Sequence, residues 1–397
     1  MLSKVRPVRF QSRDKWLAEQ KAAGRYRRTR VVGSRNGTAI TVDGQSAVNF
    51  CSNDYLGLAA HPRIIRAVKR GLDEYGLGSG ASQMVCGKFH VHSMLEERLA
   101  GITARDDAIL FSSGYLANLA AVSALAPSRE DQIFLDRLCH GSLVDGALSA
   151  KGGLRRYRHA DPASLAVFLN EGSEASKLVV TDAVFSMDGD LAPLPQLATV
   201  CDQSGALFFV DDAHGFGVLG NAGRGSLEHF ALDQRAVPLM MATFGKALGA
   251  QGAFIAGQKT LIDTIRQRAR PYIYTTALPP PVAAGVLEAV QILEDEPERR
   301  DHLHELIDRF RRGAGQRGLP LKDSTTAIQP LVIGGDDAAV AFSNKLLGEG
   351  YYVAAIRPPT VPANTARLRI TLSAAHTLKQ VDGLLDALSK PDLWSGV

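Results

Sequence analysis

The chain has 397 residues, 45% hydrophobic and 22% charged, the make-up of a soluble globular protein with room for more than one domain. Its net charge of +4 is spread along the whole length, without interleaved basic and aromatic residues, which argues against a nucleic-acid partner. No apolar run reaches transmembrane length and no signal-peptide core is visible; Cys51, Cys86, Cys139 and Cys201 lack CxxC spacing, so the expectation is no membrane, no metal, and a reducing, cytoplasmic setting.

Taken in order, residues 1–30 carry the densest basic cluster, Lys4 through Arg30, and read as a polar helix and extended arm rather than a transit peptide, because Trp16, Leu17 and Glu19 fit a helix. Residues 38–50 read as a hairpin turning at Asp43-Gly44. A polar loop, 51–58, precedes a helix over 62–75. Glycines 76, 78, 80 and 87 then fall in a stretch without helical or strand period, as in a functional loop. From about residue 91, helices at 91–103, 115–125, 142–150, 162–170 and 194–204 alternate with short apolar strands at 108–111, 132–135, 154–157, 178–181, 206–210 and 237–242. Such alternation predicts an α/β fold, a mostly parallel sheet covered by helices on both faces. After Pro279-Pro280-Pro281 come helices 282–296 and 299–315, strand 328–333, helix 337–348, strands 351–356 and 367–372, and a last helix at 378–388. The expected domains are an N-terminal helix, arm and hairpin over 1–50, a large domain over 51–281, and a smaller α+β domain over 282–397.

Each strand of the large domain ends in polar residues or glycine: Ser112-Ser113-Gly114, Asp136-Arg137, Asp182, Asp211-Asp212 and Thr243. Ligands bind at the carboxyl ends of such strands, so the chemistry is expected along one sheet edge. Lys246 lies among Gly245, Gly249 and Gly252 after an apolar strand, with Thr243 three residues earlier. Partial desolvation makes a lysine amine a nucleophile towards aldehydes, and a threonine hydroxyl can hold a phosphate, which suits a Schiff-base lysine for pyridoxal 5'-phosphate. An ordinary lysine in a Gly-rich turn is the alternative. Ser113-Gly114-Tyr115 opens a helix after a strand, an anion site or a plain helix start. His140 follows the next strand and can stack on a cofactor ring or sit at the surface. Asp211 and Asp212 end a wholly apolar strand, and a buried carboxylate needs a partner. Asp211 suits a pyridinium nitrogen, with His214 near the ring oxygen; a structural cap is the alternative. Ser186 lies on a loop with Asp182, Asp188 and Asp190, which lacks EF-hand spacing. Arg367 and Arg369 alternate on a strand and are expected to put one guanidinium on each face; either one could bind a carboxylate or form a surface ion pair.

Together, Asn53-Asp-Tyr-Leu-Gly-Leu58, Ser113-Gly-Tyr115, Val210-Asp-Asp-Ala-His-Gly215, Thr243-Phe-Gly-Lys246, Tyr272-Ile-Tyr-Thr-Thr276 and Arg367-Leu-Arg-Ile-Thr371 resemble the motifs of the α-oxoamine synthases over about residues 25–388. These are fold-type-I pyridoxal-phosphate transferases. The resemblance implies that Lys246 carries the cofactor, Asp211 pairs with its pyridinium, His140 stacks on the ring, and His214 and Ser186 contact its oxygen side. Gly114, Tyr115 and Thr243 would serve the cofactor, and Thr276 the phosphate bound by a partner subunit of a homodimer. Asn53 and Arg369 match positions that hold the amino-acid carboxylate; Arg27, Arg357 and Thr360 match positions near the acyl substrate. Within the family, Ile356-Arg-Pro-Pro-Thr-Val-Pro362 and Thr371-Leu-Ser-Ala-Ala-His376 point to L-alanine and a pimeloyl thioester, on coenzyme A or a carrier protein. Glycine with acetyl- or succinyl-CoA is the rival within the family, and an aminotransferase or lyase on the same fold the rival outside it. Three positions depart from the pattern: Asp182 replaces a glutamate, Asn364 a turn glycine, and Leu248 is bulkier than usual. Asparagine tolerates a left-handed backbone, so the turn at Asn364 is expected to survive.

Overall fold

A computed structural model describes residues 11–34, 36–171 and 175–395; the part of the expected N-terminal arm before residue 11 lies outside them. The hairpin is β1 (Ala39–Val42) and β2 (Gln45–Asn49), and its turn residues Asp43 and Gly44 both have positive φ, at 49° and 85°. The large sheet holds β3 (Asp107–Phe111), β4 (Gln132–Asp136), β5 (Gly153–Tyr157), β6 (Lys177–Asp182), β7 (Leu207–Asp211), β8 (Leu239–Thr243) and β9 (Ala253–Gly257), in the order β3-β9-β8-β7-β6-β4-β5. All neighbours are parallel except β9, which runs against both β3 and β8. The sequence reading contains no strand there. Residues 244–252 are too few to form a crossover helix, so the chain can only return antiparallel. Gly249 makes that return, with φ of 62°; a Cβ on it would lie 2.2 Å from the Ala59 nitrogen. Leu248 is fully buried in the core below.

Alternate strand residues feed two cores. Ala108, Leu110, Phe134, Val179, Phe208, Val210 and Met240 point to one face; Ile109, Phe111, Leu135, Val180, Phe209 and Met241 point to the other. This is the period of a strand whose two faces are both covered, which is why the strands read as unbroken apolar runs. The first core runs on without a break into the C-terminal part, through Leu306, Phe310, Ile328 and Leu368. There β10 (Ile328–Gly334), β13 (Ala366–Thr371) and β12 (Ala354–Ile356) form an antiparallel sheet. The single strand expected over 351–356 divides: β11 (Tyr351–Tyr352) pairs in parallel with β2, and β12 turns to β13. The hairpin thereby joins the C-terminal part. Asn364 has φ of 60°, the left-handed turn expected of it. Among the described residues no helix is long and apolar enough to cross a membrane.

Candidate active site

The parallel strands bring Asp136, Asp182, Asp211 and Thr243 to one edge of the sheet, with Asp182 directly beside Asp211 in register. Lys246 follows on the loop after β8. Removal from water pulls its amine down from the ordinary 10.5 to about 8; Asp211 and Asp182 oppose this, and Arg369 adds to it. Burial beside the Asp211 charge pushes Asp182 well above the usual carboxylate range, although the His140 N–H donates to its Oδ2 at 2.8 Å. The shorter Asp182 side chain thus anchors the His140 loop.

The two carboxylates after β7 have different duties. Asp211 Oδ1 accepts from the Ala213 N–H at 2.9 Å, and Oδ2 from the Asn118 amide at 2.6 Å. Asp212 turns to the Ser226 loop, accepting from its N–H at 2.8 Å and its hydroxyl at 2.5 Å. Burial pushes Asp212 up to about 7, against those bonds. Asp212 is therefore a loop tie. His140 is open to the cleft on one side; its surroundings lower its pKa through desolvation, with Asp211 opposing. His214 is buried and held well below the ordinary range, with its Nδ1 2.6 Å from the Tyr55 hydroxyl.

Ser113 caps the helix Gly114–Leu125 by accepting from the Leu116 N–H, and the first N–H groups of that helix have no intrahelical acceptor. A Cβ on Gly114 would lie 3.7 Å from that of Thr243, so the helix start and Thr243 meet. The Thr243 hydroxyl donates to the Gly252 carbonyl at 2.9 Å. Tyr115 is partly exposed, and its hydroxyl donates to Asp145. Arg369 donates from Nε to the Ser186 carbonyl at 2.5 Å and from Nη1 to Asn53 Oδ1 at 3.1 Å. Arg367 reaches the same loop, at Asp188, 2.6 Å away. The expectation of one arginine per face fails, because residues two apart on a strand share a face.

A cavity of about 670 Å³ opens beside this edge, lined by Arg27, His140, Phe185, Ser186, Thr360 and Val361 among others. Arg27 donates to the Thr360 hydroxyl at 3.3 Å. Arg357 turns away from it: its guanidinium donates to the Gly24 carbonyl and lines a separate cleft with Tyr26 and Arg30. Arg357 therefore ties down the arm that carries Arg27. Thr276 is exposed and forms a bridge with Ser82 of the Gly-rich loop.

Sequence reasoning missed four residues of this neighbourhood: Asn118, Ser142, Tyr55 and His159. Asn118 offered one signal, a lone amide in an otherwise small and apolar helix face. Ser142 lies two residues from His140, whereas Tyr55 and His159 are paired only by the fold. His159 is clamped between Asp136, 3.0 Å away, and Asp190, 2.9 Å away, on segments distant in the chain.

The donor set fits pyridoxal phosphate. A lysine amine of depressed pKa suits its aldehyde, the buried Asp211 its ring nitrogen, and the free N–H groups of a helix start its phosphate. Asn118 Oδ1, buried beside Asp211, has no hydrogen-bond partner among the described residues. The architecture and this edge define a fold-type-I pyridoxal-phosphate enzyme. The chain belongs to the aminotransferase class I and II family, whose model matches residues 45–388. It is 55% identical to the 8-amino-7-oxononanoate synthase of Methylococcus capsulatus over 94% of this chain and 96% of that protein. It is 51% identical to that of Cellvibrio japonicus, over 94% of each. Serine palmitoyltransferase from S. paucimobilis, solved with pyridoxal phosphate, superposes with a TM-score of 0.90 at 30% identity over 96% of both chains. The 8-amino-7-oxononanoate synthase of Francisella tularensis gives 0.76 at 30% identity, over 88% of this chain and 99% of that one.

Proposed function

We propose that this chain is an 8-amino-7-oxononanoate synthase of biotin biosynthesis, condensing L-alanine with a pimeloyl thioester and releasing CO2 and the free thiol. The observation that carries this reading is Lys246, three residues past β8 and facing the Asp211 that closes β7, in a chain 51–55% identical over 94% of its length to relatives named 8-amino-7-oxononanoate synthase. Lys246, Asp211, His140 and His214 would hold the cofactor, with Gly114, Tyr115 and Thr243 at its phosphate end. When bound, pyridoxal phosphate supplies an electron sink for negative charge at the amino acid's α-carbon.

The chain's own groups do the rest. An amine of pKa about 8 accepts a proton near neutral pH, so Lys246 is the base for the α-hydrogen of alanine. Arg369 spends two of its five donors on Ser186 and Asn53, leaving others for the alanine carboxylate. The 670 Å³ cavity accepts the acyl chain, with an apolar wall at Phe185 and Val361 and with Arg27 and Thr360 at its rim. A homodimer with shared sites is supported by Thr276, exposed beside a Gly-rich loop whose Leu77 and Val85 are 78% and 79% exposed. A second copy would cover those side chains and receive Thr276 near its phosphate.

The test is a thioester screen with release of free thiol as readout. Pimeloyl-CoA or a pimeloyl carrier protein with L-alanine should give thiol and CO2 in equal amounts. Preference for glycine with acetyl- or succinyl-CoA would sink the assignment in favour of another member of the family.

A further inference from the structure

We propose that Asn118 is a positioning residue that couples Asp211 to His140 and sets the tautomer of that histidine. The inference rests on the reading of Asp211 and His140 as cofactor-binding groups. Asn118 is 1% exposed and lies in the first turns of the helix behind the sheet edge. Its amide nitrogen has two hydrogens, and the structure gives each a partner: Asp211 Oδ2 at 2.6 Å and Ser142 Oγ at 2.8 Å. A flipped amide would set oxygen against carboxylate, so the orientation is dictated by Asp211.

Ser142 is fully buried. Its oxygen accepts from Asn118, and its own hydrogen is free to go to His140 Nδ1, 2.8 Å away. The Ser142 backbone N–H points to the same nitrogen, at 3.2 Å. An imidazole nitrogen that accepts from two donors carries no proton, so the neutral ring holds its hydrogen on Nε2. Protonating Nδ1 would set its hydrogen against the Ser142 N–H and reverse the bond to the hydroxyl. The same amide that steers Asp211 therefore presents His140 to the cleft as an Nε2–H donor. Asp211, Lys246, Asp145 and, through the His140 backbone, Asp182 are the charged groups facing this ring.

The test uses wild-type protein and the variants Ser142→Ala, Ser142→Thr, Asn118→Ala and Asn118→Leu, each checked for an unchanged melting temperature when loaded with pyridoxal phosphate. Nitrogen-15 NMR of the His140 imidazole reports the tautomer, and titration of apoprotein with pyridoxal phosphate reports affinity. Ser142→Ala should shift His140 towards a mixture of tautomers while the cofactor dissociation constant stays within about twofold. Ser142→Thr, which keeps the hydroxyl, should restore the Nε2–H form. Both Asn118 variants should disturb the tautomer and also weaken the cofactor by about ten- to a hundredfold, the loss of a hydrogen bond to a charged group. The inference is overturned if a folded Asn118 variant keeps the wild-type tautomer and affinity, or if it weakens the cofactor with the tautomer untouched. Wild-type protein that takes up no pyridoxal phosphate would instead overturn the reading of the site itself, and the inference with it.

Discussion

His159 offers the sharpest test of how the site is held. Burial alone would lower its pKa, but hydrogen bonds to Asp136 and Asp190 prevail and raise it from the ordinary 6.5 to about 10. Asp136 is fully buried at the end of β4, and Asp190 lies on the loop that carries Ser186. The imidazolium therefore pins that loop to the sheet edge. A group whose pKa is raised on folding contributes in full below its unfolded value and loses that contribution as pH climbs through the folded one. At about 1.4 kcal/mol per pH unit, the gap between 6.5 and 10 gives roughly 5 kcal/mol at pH 6, about 3 at pH 8 and under 1 at pH 10. His159→Gln keeps the size and a hydrogen-bonding head but not the charge. Denaturant unfolding of wild type and variant at pH 6, 8 and 10 should show a stability difference that shrinks across that range. Arg369 donates to the Ser186 carbonyl of the same loop, so the variant should also raise KM for alanine. A stability difference that stays level from pH 6 to pH 10 would refute the charged clamp.

The carboxylate pair should separate cleanly. Asp211→Asn should cut turnover by a factor of about a thousand or more, through loss of a buried charge at the site, whereas Asp212→Asn should chiefly lower the melting temperature through the Ser226 loop. The reverse order in a paired assay would show the roles exchanged. With Lys246 as the proposed nucleophile, acting in its neutral form, uptake of pyridoxal phosphate by apoprotein, followed by the visible band, should quicken with pH and level off above about 8. Lys246→Ala should show neither the band nor turnover. Mixing Lys246→Ala chains with Thr276→Ala chains should recover part of the activity if sites are shared, and an active monomer by sedimentation would exclude sharing. Arg369→Ala should raise KM for alanine about ten- to a hundredfold and Arg27→Ala that for the acyl thioester, each from loss of a charged hydrogen bond; loss of the same substrate by both variants would contradict the separate placements.

Much of this protein was already decided by its sequence. The α/β alternation, the bounds of the named helices within a residue or two, and the polar residues closing each strand follow from local physics, since apolar periodicity, caps and turn glycines act within a few residues; the helix Lys259–Arg268 is not among those named. The same locality marked Lys246, Asp211, His140 and His214 as candidates, since each ends or follows a strand and is marked by its neighbours. What only the tertiary structure decided are pairings across long separations. The direction of Ala253–Gly257 against β8 follows from the short 244–252 turn, but its pairing with β3, far back in the chain, is decided only by the fold. Tyr351–Tyr352 goes to β2 rather than onward with β12 because the hairpin edge is there to receive it. Asp211 and Asp212 are adjacent and chemically identical, and only the positions of Asn118 and Ser226 give one to the site and the other to a loop. Arg357 reads in sequence like Arg27, yet in space it holds the Gly24 carbonyl and not the cavity wall. His159 carries no local mark at all. Its protonation depends on two carboxylates that approach only after the sheet has formed, because electrostatic coupling depends on distance in space and not along the chain.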